Sequence, residues 1–139
     1  MNERYICKGK RKDNGKWVTG YYVRNGEHCY IFSGRIGVTK GYVDWERYEV
    51  IPQTVRQCTG KKDKDGMWIF EKDIIRTKRH GAAIGCDKDF VYDIFEVVYT
   101  SAAFKIINAN RTFSLDGKST DYDIIGNSVD NPELLEVER

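Results

Sequence analysis

The stretch from Gln57 to Arg76, QCTGKKDKDGMWIFEKDIIR, limits what this chain can fold into more than any other. It opens on Thr59-Gly60, passes through a charged loop from Lys61 to Gly66, and closes on an apolar run broken by Glu71-Lys72-Asp73 before Ile74-Ile75. Asp65-Gly66 is a turn pair, because glycine accepts a positive φ without steric cost and aspartate bonds to nearby backbone. Met67, Trp68, Ile69 and Phe70 are contiguous and bulky, as in a strand covered on both faces. A sharp bend joins that strand to Ile74-Ile75, with Asp73 accepting from local N–H groups. The stretch predicts strands and turns, and carries no chemistry by itself.

Taken in order, the rest of the chain reads as β-hairpins. Tyr5-Ile6-Cys7 and Trp17-Val18 flank the basic run Lys8 to Lys16, with Asp13-Asn14-Gly15 at its tip. Asn25-Gly26 separates two β-prone runs, a strong hairpin signal. Ser33 to Asp44 is expected to be a loop or irregular hairpin. Pro52 is placed to start one helical turn ending before Gln57, and Val50, Ile51 and Val55 are expected to be buried. Arg76 to His80 and Ala82 to Lys88 read as a polar excursion from a strand. Phe95, Val97 and Tyr99 then alternate with Glu96, Val98 and Thr100, a period of two. Ser101 to Ala103 and Asp116-Gly117 are turn signals, and Tyr122 to Ile125 a last strand. Asn131-Pro132-Glu133 has the form of a capped helix start, for a helix of a turn or two.

Three blocks resemble the YopX family of phage and prophage proteins. One is Gly9 to Val18 with Gly20-Tyr21. The second is Thr59-Gly60, Lys62-Asp63-Lys64-Asp65-Gly66, Trp68-Ile69-Phe70 and Glu71-Lys72-Asp73-Ile74. The third is Ile125-Gly126-Asn127 with Asn131-Pro132-Glu133-Leu134-Leu135. The family usually has glycine where Lys72 stands, so a left-handed backbone there would cost lysine roughly 1 kcal/mol. The resemblance implies a mainly β, phage-encoded protein with a C-terminal half like an SH3-like β-barrel, and it transfers no activity to any residue. The expected organisation is an N-terminal hairpin region, 1–55, packed on a barrel, 56–139, with helix limited to short turns.

Composition narrows the function classes. Nine Tyr, six Phe and three Trp against two Pro favour a packed, strand-rich interior. The net charge of +2 names no polyanionic partner, although residues 1–55 hold 10 Lys+Arg against 6 Asp+Glu and residues 56–139 hold 13 against 15. The four cysteines, Cys7, Cys29, Cys58 and Cys86, form no close pair, and His28 and His80 are far apart, so neither a metal nor another cofactor is expected. No apolar 18-mer or signal segment stands out, and the expectation is a protein of the host cytoplasm without a membrane.

Glu71 and Asp73, at i and i+2, are the carboxylate pair with a geometric chance of acid–base or cation chemistry, but are expected to be structural. So are Thr59, Gly60, Asp63, Gly66, Ile74, Gly126, Asn127, Asn131 and Pro132. A non-enzymatic module that binds an unidentified host or phage protein, or a second copy of itself, is the first expectation. The alternative is nucleic-acid binding through Lys10, Arg11, Lys12 and Lys16 on phosphates.

Overall fold

The structure is a computed structural model and describes residues 5–35, 44–80, 90–115 and 122–136. The chain is mainly β, and the described residues hold helix only as two 3-10 turns, Pro52–Thr54 and Pro132–Leu135. It divides into two compact units, Met1–Cys58 and Thr59–Arg139.

The first unit is a meander of four strands: β1 (Ile6–Lys10), β2 (Trp17–Asn25), β3 (His28–Arg35) and β4 (Asp44–Val50). Each pairs antiparallel with the next, from Lys10↔Trp17 through Asn25↔His28 to Cys29↔Val50. Both predicted hairpins form, and Gly15 and Gly26 take the positive φ of 71° and 62° that their turns need. Of the loop or irregular hairpin expected from Ser33 to Asp44, the two ends are paired strand. Ser33, Gly34 and Arg35 continue β3 and pair with Glu46, Trp45 and Asp44, because the ladder outlasts the local glycine signal. Residues 36–43 lie outside the described residues.

The meander curls back on itself. Arg11 bridges Val50, Lys12 N donates to Glu49 O at 3.0 Å, and Ile51 N donates to Lys10 O at 2.8 Å. Gly9 makes this approach possible: a Cβ there would sit 3.1 Å from the Val50 side chain. Cys7, Cys29, Ile31 and Val50 form the buried core, with Val18 and Val55 against it. Burial of free cysteine as a small hydrophobe is as expected for Cys7, Cys29 and Cys58, while Cys86 lies outside the described residues. The predicted turn at Pro52 forms, and Thr54 fastens it by donating to Ile51 O at 2.6 Å and accepting from Lys10 N at 2.9 Å.

β5 (Arg56–Lys62) begins beside β1, with Cys7↔Gln57 and Lys8↔Arg56. Its last residues belong to the second unit, which continues through β6 (Trp68–Phe70), β7 (Asp73–His80), β8 (Phe90–Thr100), β9 (Ala103–Ile107), β10 (Thr112–Ser114) and β11 (Tyr122–Asn127). The last five form an antiparallel sheet in the order β10-β9-β8-β7-β11, so the final strand returns to the first. Ile69, Ile75, Phe95, Val97, Ile106, Leu115 and Tyr122 form its core. Among the described residues no pairing joins β10 to β11, and the sheet is open where the resemblance implied a closed barrel.

Three local readings need correction. Met67 stands outside β6 and is 62% exposed, because the loop, rather than the core, claims its backbone. Arg76 to His80 are strand, paired with Ile94 to Phe90, rather than an excursion. The alternation on β8 holds for Phe95 and Val97, but Tyr99 is 52% exposed at the strand end. Residues 81–89, with the expected excursion Ala82 to Lys88, lie outside the described residues, as do Asp116-Gly117.

Candidate functional site

The family-type residues of the second unit are built into turns. Thr59, buried, donates from Oγ1 to Ile69 O at 2.8 Å and accepts from Lys61 N at 3.1 Å, and Gly60 beside it has φ 80°. Asp63, 4% exposed, holds the charged loop: its Oδ1 accepts from Asp65 N and Met67 N, both at 2.9 Å. Its own N donates to Met67 O at 2.8 Å and its carbonyl accepts from Gly66 N at 3.1 Å. Sequence reasoning gave this role to Asp65. Gly66 takes φ 81°, as the turn requires.

The next step is similar. Asp73 is buried and accepts Phe70 N on Oδ2 at 2.7 Å, the local bond predicted for it. Lys72 has φ 70°, so the left-handed position is real. Its N donates to Val97 O at 2.7 Å and its carbonyl accepts from Ser128 N at 2.8 Å. Glu71 belongs to this turn rather than to β7, so it does not share a strand face with Asp73. Asp73 Oδ2 is instead committed to the Phe70 amide.

Ser128 belongs to the third block, which the fold brings to the second. Gly126 pairs with Ile74, fully buried, and Asn127 with Asp73, across an irregularity between Ile124 and Gly126. Asn127 Oδ1 accepts from Val129 N at 3.1 Å and Asp130 N at 2.9 Å. Asn131 does not cap the following turn with its side chain, as was expected. Its Oδ1 instead accepts from Asn127 N at 3.2 Å, and Pro132 opens the 3-10 turn. A Cβ on Gly126 would lie 2.7 Å from that same Oδ1 and 3.0 Å from Leu134 Cδ1.

The basic hairpin tip is largely paired. Arg11 Nε and Nη2 donate to the Asp13 carboxylate at 2.9 and 2.6 Å, and its guanidinium lies 4.4 Å from the Tyr48 ring centroid. That hydrogen bond holds Asp13 below the usual carboxylate range and Arg11 above its ordinary value. Lys12 Nζ and His28 Nδ1 converge on Glu49 Oε2 at 2.9 and 2.8 Å. Glu49 is held below its ordinary value, first by the His28 hydrogen bond and then by Lys12. Lys10 lies 5.4 Å over Trp17, and Lys16 is exposed, its N bonded to Asn14 Oδ1 at 3.0 Å. The four cations thus lie near one another, but Arg11 and Lys12 already face carboxylates.

Two groupings escaped sequence reasoning. Asp63, Asp65 and Asp123 place one carboxylate oxygen each within 4.8 Å of one another. However, Asp63 Oδ1 is committed to two amides, and Asp123 is met by Arg76 at 3.0 Å and Lys64 at 3.6 Å. That is the bonding of a cross-linked loop, and only the paired fold joins positions 60 residues apart. The other is a cavity of about 600 Å³ whose lining includes Tyr92, Ile94, Glu96, Ile107, Arg111 and Leu135. His28 and Cys29, the adjacent ligand types, diverge: Cys29 enters the core while His28 bonds Glu49. None of the helices among the described residues is long and apolar enough to cross a membrane.

These observations define an all-β protein of two compact units whose distinctive residues secure turns. The family model described as YopX protein matches residues 9–136, and the chain belongs to that family. No curated protein matches it.

Proposed function

We propose that this chain is a phage- or prophage-encoded binding module that works by contact with a host or phage protein in the host cytoplasm and turns over no substrate. The observation that carries the reading is the edge at β10. This strand is three residues long, exposed throughout, and presents Phe113 at 47% exposure, steadied by an edge contact with Phe95 at 5.9 Å between centroids. An exposed edge strand with an aromatic anchor is the geometry of recognition by strand addition. Family membership supports the phage origin. The order β10-β9-β8-β7-β11, in which the last strand returns to the first, supports the finer reading of the second unit as a relative of SH3-like barrels.

A second copy is the simplest partner, and the same edge serves a homo-oligomer. Light scattering across a concentration series, with wild type and Phe113→Asp, tests both. Association with itself or with a protein drawn from host lysate is expected for wild type and not for the variant. A monomer that draws out no partner, or partners indifferent to the substitution, overturns the reading. The tip-centred nucleic-acid alternative loses force at Arg11 and Lys12, whose charge is met by Asp13 and Glu49.

A further inference from the structure

The first sheet has two faces, and the register sorts its side chains between them. Directly paired residues of an antiparallel ladder lie on one face, and the face alternates along each strand. Cys7, Cys29, Ile31 and Val50 take the core face. The pairings Lys10↔Trp17, Lys8↔Thr19, Tyr21↔Phe32, Val23↔Tyr30, Tyr30↔Glu49 and Phe32↔Arg47 all fall on the other. That face therefore interleaves bulky aromatics with cations. Solvent reaches it, since Thr19, Val23 and Arg47 are exposed.

The charge on this face is one-sided. Among the described residues the register puts a single carboxylate there, Glu49, and Lys12 and His28 already answer it. Glu46 lies on the opposite face and bonds Tyr48. Asp13 and Glu27 are in the turns. The rings steady the cations: the Arg47 guanidinium lies 5.0 Å from the Tyr30 centroid, and Lys10 and Arg56 lie 5.4 and 4.5 Å from that of Trp17. Arg56 is 3% exposed, so it offers a ligand no contact of its own.

We propose that this face of the first unit is a docking surface for single-stranded nucleic acid, with Lys8, Lys10 and Arg47 on phosphates and the rings of Tyr21, Tyr30 and Phe32 against bases. Cations spaced between aromatics on one sheet face fit a polyanion whose bases are unstacked. A duplex keeps its bases stacked and offers only phosphates, so the rings favour the single strand. The surface reads charge and base faces, not the 2′-hydroxyl, so DNA and RNA are one ligand class to it. The site goes beyond the protein-contact reading and uses a different unit, so either holds if the other fails.

Fluorescence anisotropy with labelled dT20, U20 and a 20-base-pair duplex tests it on the full chain. Three phosphate contacts predict a log–log salt slope of about −2 on the single strands, at roughly −0.7 per phosphate. The expected order is dT20 and U20 alike, both about tenfold or more tighter than duplex. Arg47→Gln, at an exposed position, is expected to weaken dT20 binding severalfold and make the slope shallower. Tyr30→Leu keeps the charge and is expected to weaken it about tenfold with the slope unchanged, while Lys16→Gln at the hairpin tip changes neither. Absence of dT20 binding at low salt, equal affinity for duplex, or insensitivity to both face substitutions overturns the proposal. So does nuclease-resistant capture of a protein that Tyr30→Leu abolishes, which assigns the face to a protein partner.

Discussion

The carbonyl of Lys72 accepts the amide of Ser128 at 2.8 Å, and with it the turn before β7 is tied to the turn after β11. Lys72 reaches this bond at φ 70°, a conformation that costs a lysine of order 1 kcal/mol and glycine almost nothing. Lys72→Gly is therefore expected to raise stability by up to about 1 kcal/mol, or a few degrees in the thermal midpoint. A lower midpoint would mean that the lysine side chain contributes more than its backbone costs.

Asp63 and Asp73 are expected to be stability residues. Asp73 Oδ2 serves one backbone amide and Asp63 Oδ1 serves two, all at 2.9 Å or less. Truncation leaves these donors without their acceptor, at about 1–3 kcal/mol for each buried group left unsatisfied. Both Asp63→Ala and Asp73→Ala should lower the urea midpoint. Equal midpoints for Asp63→Ala and wild type would show that the loop needs no internal acceptor.

Gly126→Ala tests the packing inside the third block, between β11 and the residues that follow it. The new Cβ would lie 2.7 Å from Asn131 Oδ1, closer than real Cβ atoms come, so the Asn131 side chain must shift and strain its bond to Asn127 N. Overpacking of this kind typically costs 1–3 kcal/mol. Asn131→Ala in the same chain removes the clash, so the double variant should lose less than the sum of the two single changes. Strict additivity, measured by urea denaturation, would place the strain elsewhere.

How far the sequence revealed this depended on separation along the chain. Asn25-Gly26, Pro52 and Asp73 act on neighbours within four residues, so their roles were readable from local turn chemistry. Within Lys62 to Gly66 the location of the turn was legible, but which carboxylate fastened it was not. Asp63 and Asp65 are chemically alike, and only the ladder between β5 and β6 turns Asp63 inward. The Arg11↔Val50 bridge, the Gly126↔Ile74 pairing and the Asp63–Asp123 approach depend on strand order, which local patterning does not encode. The aromatic and basic face is an intermediate case. The β-prone runs were visible one by one, but which of their side chains share a face over three hairpins required the register, since a slip by one residue sends every side chain to the other face.

The last prediction concerns pH. Glu49 is half-buried and held below its ordinary value by His28 and then Lys12. A carboxylate whose folded value is depressed stabilises the native state at pH above its unfolded value, and that contribution is lost as pH falls through the folded one. Glu49→Gln should therefore lower the urea midpoint slightly at pH 7, and the gap to wild type should close as the solution is taken below the carboxylate range. Asp13 is depressed in the same direction by Arg11, so absolute stability falls in both proteins and the difference between them is the informative quantity. Salt should narrow the gap at pH 7 as well, because exposed pairs are screened. A gap that persists at low pH would show that the Glu49 side chain acts through packing or an uncharged hydrogen bond rather than through charge.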